Sequence, residues 1–189
     1  NPYGLPSTIS FINNYNIKFQ HIKYIILTHH HSDHLAFFHK LRDLNPEMKL
    51  IVNEYELPYL KSGKNKKGKI GGNILIKILV NIMRIIPQKF KSIIPQDEDY
   101  IIKDKDDKLL KELGIKGMII HTPGHTPGSM SVVLEDGIAF VGDIVMNFPF
   151  SSPYPFLFDD MEEVFSSWRK LKENGVNTVY PGHGDAISM

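Results

Sequence analysis

The apolar segments of this 189-residue chain predict an α/β fold built from layers of helix and sheet. Short β-branched runs, of which 23–28 is the first, have the length and composition of buried strands. Helical patterns alternate with these runs, and the clearest covers 160–174, where apolar residues recur along one face. The Asp136-Gly137 pair, between two further apolar runs, is typical of a hairpin turn. No internal repeat or second domain is visible, so we expect a single domain over 1–189.

The ends of the predicted elements are marked by capping residues and by proline and glycine. Asn45-Pro46 ends the helix that follows the first strand. Asn53, with Glu56 three residues later, has the spacing of a capping box for another short helix. In order, we expect a helix capped by Ser7, a strand at 23–28, a helix at 35–44, a strand at 49–52, a short helix after Asn53, a helix at 73–86, strands at 115–121, 129–135 and 138–141, a helix at 160–174 and a strand at 176–180.

Residues 61–100 are predicted to be an insertion in this domain. The stretch 61–72 contains five lysines and four glycines and is expected to be a mobile loop. Behind it, 73–86 is apolar on almost every face and ends at Pro87, which predicts a helix buried by packing. Two alternatives are an apolar lid over a binding site and a homodimer surface. A lid would favour small-molecule substrates that are apolar or carry an acyl group.

The composition excludes several classes of protein. Apolar residues make up 42% of the chain and charged residues 23%, which suits a globular core. A net charge of +1 provides no overall attraction to nucleic acid or to a membrane, and no nucleic-acid partner is expected. The absence of cysteine excludes disulfides, thiolate metal sites and a cysteine nucleophile, and it fits a cytoplasmic protein. No stretch is long and apolar enough for an integral membrane segment, and no signal peptide is visible.

Histidine and aspartate side chains follow four of the predicted strands, and together they have the composition of a metal site. In the segment HHHSDH at 29–34, His29 and His31 project the same way from extended chain and can converge on one ion. The turn after them brings Asp33 and His34 to the rim, where they can hold a second ion. Imidazole and carboxylate without thiolate suit zinc, iron or manganese at a catalytic site. The remaining candidate ligands are His125 between two Pro-Gly pairs, Asp143 after an apolar strand, and His183 in Pro-Gly-His-Gly.

The order and spacing of these seven residues resemble the metallo-β-lactamase superfamily of metallohydrolases. The resemblance implies an αββα sandwich. Members usually begin with several strands, for which the 28 residues before His29 leave little room, so this chain is expected to lack the first strands of the fold. The resemblance further implies that His29, His31 and His125 hold one metal ion, that Asp33, His34 and His183 hold the other, and that Asp143 bridges them.

The same resemblance implies a hydrolase that uses two divalent metal ions, zinc in the first instance, with iron or manganese as alternatives. A hydroxide that bridges the two ions would attack an ester, lactone, thioester or phosphoester substrate. Asp33 is the expected proton shuttle, because it would lie beside the bridging water. His30, which projects opposite to its neighbours, is expected either to have a structural role or to support the ligands. Two other functions stay open: a persulfide-dioxygenase-like enzyme with a single iron, and an inactive module that binds metal.

Overall fold

The computed structural model describes residues 14–15, 17–35, 37–83, 89–106, 108–147 and 152–189. The helix predicted at Ser7 lies outside these ranges. The described strands are β1 (Tyr24–Leu27), β2 (Lys49–Asn53), β3 (Lys69–Ile70), β4 (Tyr100–Ile102), β5 (Lys105–Asp106), β6 (Gly117–His121), β7 (Met130–Leu134), β8 (Ile138–Gly142), β9 (Leu157–Phe158), β10 (Thr178–Pro181) and β11 (Ile187–Ser188). The described α-helices are α1 (Ser32–Leu35), α2 (Phe38–Leu44), α3 (Leu57–Ser62), α4 (Ile74–Met83), α5 (Leu109–Glu112) and α6 (Met161–Glu173).

The strands form two main sheets. One is parallel, in the order β1–β2–β4, and the other has six strands in the order β11–β10–β8–β7–β6–β5. Within the larger sheet β8 and β10 are parallel neighbours, and the remaining pairs are antiparallel. β3 and β9 form a separate antiparallel pair. The C-terminal ends of β1, β8 and β10 each lead into a loop that carries candidate ligands.

Helices cover the outer faces of the two sheets, as the alternation of buried residues along the strands requires. In β2, Leu50 packs with residues of α1, α2 and α3, but the next residue, Ile51, packs against Ile119 of the other sheet. In β6, Ile120 faces away from the first sheet and packs in a cluster with Leu171 of α6. The order helix, sheet, sheet, helix is the αββα sandwich that the sequence predicts.

Helix α6 illustrates how closely a strong local pattern determines an element. The Asp160 carboxylate accepts hydrogen bonds from the backbone N–H groups of Glu162 and Glu163 and so caps the helix. Val164 and Leu171 lie on the buried face. The helix spans Met161–Glu173, close to the predicted 160–174.

Three local predictions are wrong in detail, and several short strands are missing from the prediction. The helix expected at 35–44 is two helices, because Phe37 between them is not helical (φ −118°, ψ 4°). Lys69–Ile70 of the expected mobile loop is a strand, because it pairs with Leu157–Phe158. Glu56 does not complete a capping box, since its side chain is fully buried and bonded elsewhere. The sequence does not predict the strands β4, β5, β9 and β11, because each is only two or three residues long.

Candidate metal centre

The first candidate loop leaves the end of β1 and turns directly into α1. His29, His30 and His31 continue the extended chain beyond Thr28, and Asp33 and His34 lie in the single turn of α1. The turn is closed by a hydrogen bond from the His34 backbone N–H to the His31 carbonyl, at 3.0 Å. This geometry places His29, His31 and His34 around one volume, and it directs His30 the opposite way.

The second loop is held against the start of α6. Gly124 has a φ of +125°, and a Cβ there would lie 2.4 Å from the Val164 backbone nitrogen, so a residue with a side chain does not fit. Its carbonyl accepts hydrogen bonds from the backbone N–H groups of Asp159 and Asp160. The next residue, His125, donates from Nδ1 to the Leu157 carbonyl at 2.7 Å, which directs Nε2 into the site, 2.9 Å from His31 Nδ1.

The structure brings the seven predicted residues together in two groups. His29, His31, His125 and Asp143 each offer one ligand atom, and these atoms lie within 4.8 Å of one another. Asp33, His34 and His183 form a second group that meets the same limit. Asp143 Oδ2 lies between the groups, at 3.7 Å from His29 Nε2, 3.8 Å from His125 Nε2, 3.3 Å from His34 Nε2 and 3.4 Å from His183 Nε2.

Unpartnered polar atoms at this centre fit a bound cation. Five of the buried side-chain atoms that the structure describes have no hydrogen-bond partner, and three of the five are His29 Nε2, His34 Nε2 and Asp143 Oδ1. Buried polar atoms in proteins are nearly always paired, because leaving one unpaired costs about 1–3 kcal/mol. All three belong to the candidate ligand set and converge on one place. Their donor types, imidazole nitrogen and carboxylate oxygen, suit a divalent transition metal.

The two groups differ in their access to solvent. The side chains of His29, His125 and Asp143 are between 1% and 5% exposed, whereas those of Asp33 and His183 are 42% and 30% exposed. Three of the four residues in the first group are therefore enclosed, and the second group opens to the surface. A site that is anchored on one side and open on the other leaves room for water or a substrate.

The protonation of the histidines also differs between the enclosed side and the open side of the centre. Burial and the neighbouring histidines lower the pKa values of His29 and His31, and burial also lowers that of His125, so these rings are neutral at pH 7. On the open side, burial opposes protonation of His34, but the charges of Asp143 and Asp33 outweigh it and raise its pKa to about 9. Burial by itself would raise the pKa of Asp33, but the hydrogen bond from His183 and the charge of His34 outweigh burial and lower this pKa to about 2.

Glu56 is a buried carboxylate that joins the two ligand loops. Its Oε2 accepts hydrogen bonds from the His30 backbone N–H, at 2.7 Å, and from His30 Nδ1. Its Oε1 accepts from Thr126 Oγ1 and from the Gly128 N–H, both at 2.7 Å. His30 Nε2 accepts from the Lys66 backbone N–H at 3.0 Å, so the proton of this ring is on Nδ1. Glu56 therefore fixes the residues adjacent to His29, His31 and His125.

The sequence alone did not single out Glu56 for this role, because its distance from Asn53 suggested a helix cap. Asn53 does cap locally, since its side chain accepts from the Tyr55 N–H. The expectation that His30 supports the ligands agrees with its contacts: it is fully buried, and its ring stacks on Tyr59 at a centroid distance of 4.3 Å. No local signal in the sequence connects Glu56 with residues 30 and 126.

Comparison with known proteins places the chain. A family model described as "Metallo-beta-lactamase superfamily" matches residues 20–183. The chain belongs to the metallo-β-lactamase superfamily. The resemblance drawn from the seven site residues is thereby confirmed, and with it the predicted fold class.

Individual members of the superfamily agree with this placement. The chain is 25% identical over 171 residues to the "Beta-lactamase-like protein 2 homolog" of Caenorhabditis elegans, covering 88% of this chain and 44% of that protein. The BLEG-1 B3 metallo-β-lactamase superposes with a TM-score of 0.66 at 19% identity, covering 98% of this chain and 79% of that one. TTHA1623, in a di-iron-bound form, superposes with a TM-score of 0.57 at 18% identity, covering 96% and 78%. At these identities the solved structures show a common fold.

The superfamily has a hydrolase-type fold, but the matches specify neither a substrate nor a reaction for this chain. The chain spans under half the length of the C. elegans relative. Among the described residues, no helix is long and apolar enough to cross a membrane.

Proposed function

We propose that this protein is a metal-dependent hydrolase that binds two divalent ions, zinc in the first instance and otherwise iron or manganese. His29, His31 and His125 would hold the first ion, Asp33, His34 and His183 the second, and Asp143 both. The observation that carries the proposal is the position of Asp143 Oδ2, which is within 3.8 Å of one imidazole nitrogen from each of four histidines drawn from both groups. A carboxylate in this position can neutralise and space two cations.

When bound, two divalent ions supply an activated water and polarise the oxygen of a carbonyl or phosphoryl group. The chain's own residues orient the metal ligands and neutralise the charge of the ions. The hydrogen bond from His125 Nδ1 to the Leu157 carbonyl fixes the ring so that Nε2 faces the centre. Glu56 holds the two loops that carry the enclosed ligands.

Asp33 is the residue we assign to proton transfer. Its Oδ2 accepts a hydrogen bond from His183 Nε2 at 3.1 Å, and its low pKa keeps the carboxylate ionised at neutral pH. The ionised carboxylate is the form that can accept a proton. Because its side chain is 42% exposed, it can release that proton to a leaving group or to solvent.

An apolar cavity, lined in part by residues that neighbour the ligand loops in the chain, supports substrates that carry an acyl or other apolar group. It has a volume of about 290 Å³. Met146, which lines it, follows Asp143 by three residues, and Phe156 precedes the residue whose carbonyl accepts from His125. A cavity of this size and lining suits the hydrocarbon part of a small ester, lactone or thioester. The other lining residues are Gly71, Gly72, Ile76, Ser152, Tyr154, Pro155 and Met161.

The test measures metal content and turnover on the same samples. Protein purified without added metal is analysed by elemental mass spectrometry and then assayed on a panel of esters, lactones, thioesters and phosphoesters. We expect about two divalent ions per chain and turnover on the acyl substrates. Asp143→Asn should reduce both metal content and turnover, because the shared carboxylate is lost. Asp97→Asn is the matched control, since Asp97 is exposed in a turn far along the chain from the ligands.

Two results would overturn the proposal. About one iron per chain with consumption of oxygen would indicate an oxygenase of the single-iron kind. Two bound ions with no turnover on any member of the panel would indicate a module that binds metal without catalysis.

A further inference from the structure

The basic residues of this protein are concentrated in one segment. Residues 57–96 contain eight lysines and one arginine, and neither aspartate nor glutamate. Because the whole chain has 22 basic and 21 acidic residues, the other 149 residues hold 13 basic and 21 acidic ones. A net charge of +1 therefore conceals a segment of +9 attached to a remainder of −8. Such an asymmetry is a recognised sign of contact with an anionic surface.

The same segment exposes a continuous aliphatic face. On α4, five residues with the spacing of one helical face are between 46% and 73% exposed. Val80, on the opposite side of the helix, is 4% exposed, so the helix is seated on the protein through that side. The five exposed residues are Ile74, Leu75, Ile78, Leu79 and Ile82. A buried core helix, which the sequence favoured, would not leave these side chains in solvent.

Ordered backbone contacts hold the segment to the domain. On the way into α4, β3 pairs with β9, and the Gly71 N–H donates to the Phe156 carbonyl at 2.9 Å. On the way out, Lys89 forms a bridge with Lys64 and the Phe90 N–H donates to the Gly63 carbonyl at 3.0 Å, which closes the segment on itself. Ile93 is then buried in the core cluster that contains Leu50 of β2. The exposed apolar face is therefore presented from a fixed position.

Lysine side chains accompany this face. Lys67 and Lys69 precede the helix and are exposed, and Lys77 projects from the helix beside the apolar face. Lys64 and Lys89 are both exposed at the bridge where the segment returns. An aliphatic helix face accompanied by lysines, with no acidic residue in the segment, is complementary to a surface that is apolar below and negatively charged above.

We propose that this protein docks onto anionic lipid bilayers through α4 and the exposed lysines that flank it, with α4 lying in the plane of the interface and its exposed aliphatic face among the acyl chains. A second copy of the chain fits this face less well. A two-fold dimer formed through it would bring two segments of charge +9 together without an acidic residue from either segment to pair with them. The proposal concerns the surface alone and does not depend on the reaction at the metal centre.

Docking at this face would bring the apolar cavity close to the bilayer. Ile76, which projects between the exposed face and the seated side of α4, lines that cavity together with Gly71 and Gly72. A molecule that leaves the acyl region could therefore reach the cavity by passing one helix.

Sedimentation with vesicles tests the proposal on the whole protein. One set of vesicles is phosphatidylcholine alone, and the other contains about one third phosphatidylserine. We expect binding to the anionic vesicles only, and weaker binding as salt is raised. The double variant Leu75→Ser, Ile78→Ser should reduce binding at least tenfold by removing exposed aliphatic contacts. Lys67→Gln, Lys69→Gln should reduce it by about fivefold for each charge removed.

Matched controls come from outside the segment. Ile115 is 44% exposed and Lys172 is exposed, so Ile115→Ser and Lys172→Gln make the same chemical changes elsewhere. Both should bind as wild type does, and circular dichroism should show that all four proteins are folded. The proposal is overturned if wild-type protein stays with the supernatant of anionic vesicles at low salt, or if the controls lose as much binding as the segment variants. It is equally overturned if sedimentation velocity shows a dimer that Leu75→Ser, Ile78→Ser abolishes while the vesicles remain unbound.

Discussion

Replacing Glu56 with glutamine would test whether one buried carboxylate positions both ligand loops. The change preserves size and shape but removes the charge and converts one of the two acceptor oxygens into a donor. Four groups donate to Glu56 in the structure, two from His30 and one each from Thr126 and Gly128. A glutamine can accept from only two of them in this arrangement. Two donors would then face an NH₂ group.

The cost of this mismatch can be worked out from the neighbours. His30 cannot move its proton to Nε2, because that nitrogen already accepts from the Lys66 N–H. Thr126 can redirect its hydroxyl to Ser129 Oγ, which lies 2.8 Å away, but the Gly128 N–H then has no acceptor. One unpaired buried N–H costs about 1–3 kcal/mol, and replacing a charged acceptor by a neutral one costs about 1 kcal/mol more. We therefore expect Glu56→Gln to lower the free energy of unfolding by about 2–4 kcal/mol.

Urea unfolding of the metal-free protein measures the first effect, and competition with a chelator measures zinc affinity. Because residues that fix metal ligands typically contribute 10–100-fold to affinity, we expect zinc to bind Glu56→Gln weaker by about that factor. Glu112→Gln, at an exposed position in α5, is the matched control and should change neither quantity. Unfolding within about 0.5 kcal/mol of wild type, or unaltered zinc affinity, would contradict the reasoning.

Three further perturbations test the centre itself. Gly182→Ala should reduce bound metal without unfolding the protein, because the new Cβ would lie 2.3 Å from Asp143 Oδ1 and 2.7 Å from His34 Cε1. Elemental analysis measures the metal, circular dichroism checks the fold, and full metal content would refute the prediction. Asp33→Asn should lower kcat by about 10²–10⁴ in protein that still holds at least the enclosed ion, and an unchanged kcat would remove Asp33 from proton transfer. Metal binding at pH 7 should release a proton from His34, since its folded-state pKa of about 9 keeps it protonated without metal, so affinity should rise with pH up to about 9. Because its pKa is raised on folding, protonated His34 also stabilises the metal-free protein below about pH 6.5, and this contribution is lost as the pH rises to about 9. Urea unfolding at several pH values measures the stability, and a proton-release assay measures the proton lost on metal binding. A metal affinity that does not change with pH would contradict the argument.

Much of the architecture follows from local patterns because local forces decide it. The strand at Tyr24–Leu27 is a continuous apolar run, and the helix at Met161–Glu173 has a strong periodicity and a clear N-cap. Both appear close to their predicted bounds. The helix at Ile74–Met83 was also predicted, but its environment was not. Nothing in an apolar helix specifies whether a partner surface exists to cover it. Its exposed face is a property of the assembled fold.

The candidate site divides in the same way. Residue types and spacing alone indicated seven side chains, because imidazole and carboxylate groups at strand ends are costly to collect without a cation. Which of them share a volume, and which face solvent, depends on the parallel order of β1 and β2, on that of β8 and β10, and on the packing of two sheets.

Glu56 marks the boundary between what the sequence by itself determined and what only the tertiary structure decided. Its spacing from Asn53 fits a helix cap, and the neighbouring sequence favours no other role for this side chain. In the folded chain the same carboxylate meets donors from residues 26 positions before it and 70 and 72 positions after it. Sequence determines the chemistry that a residue offers and its local conformation. Partners that distant in the chain are decided by packing, because only the closed sandwich removes water from the carboxylate and makes those donors its sole acceptable neighbours.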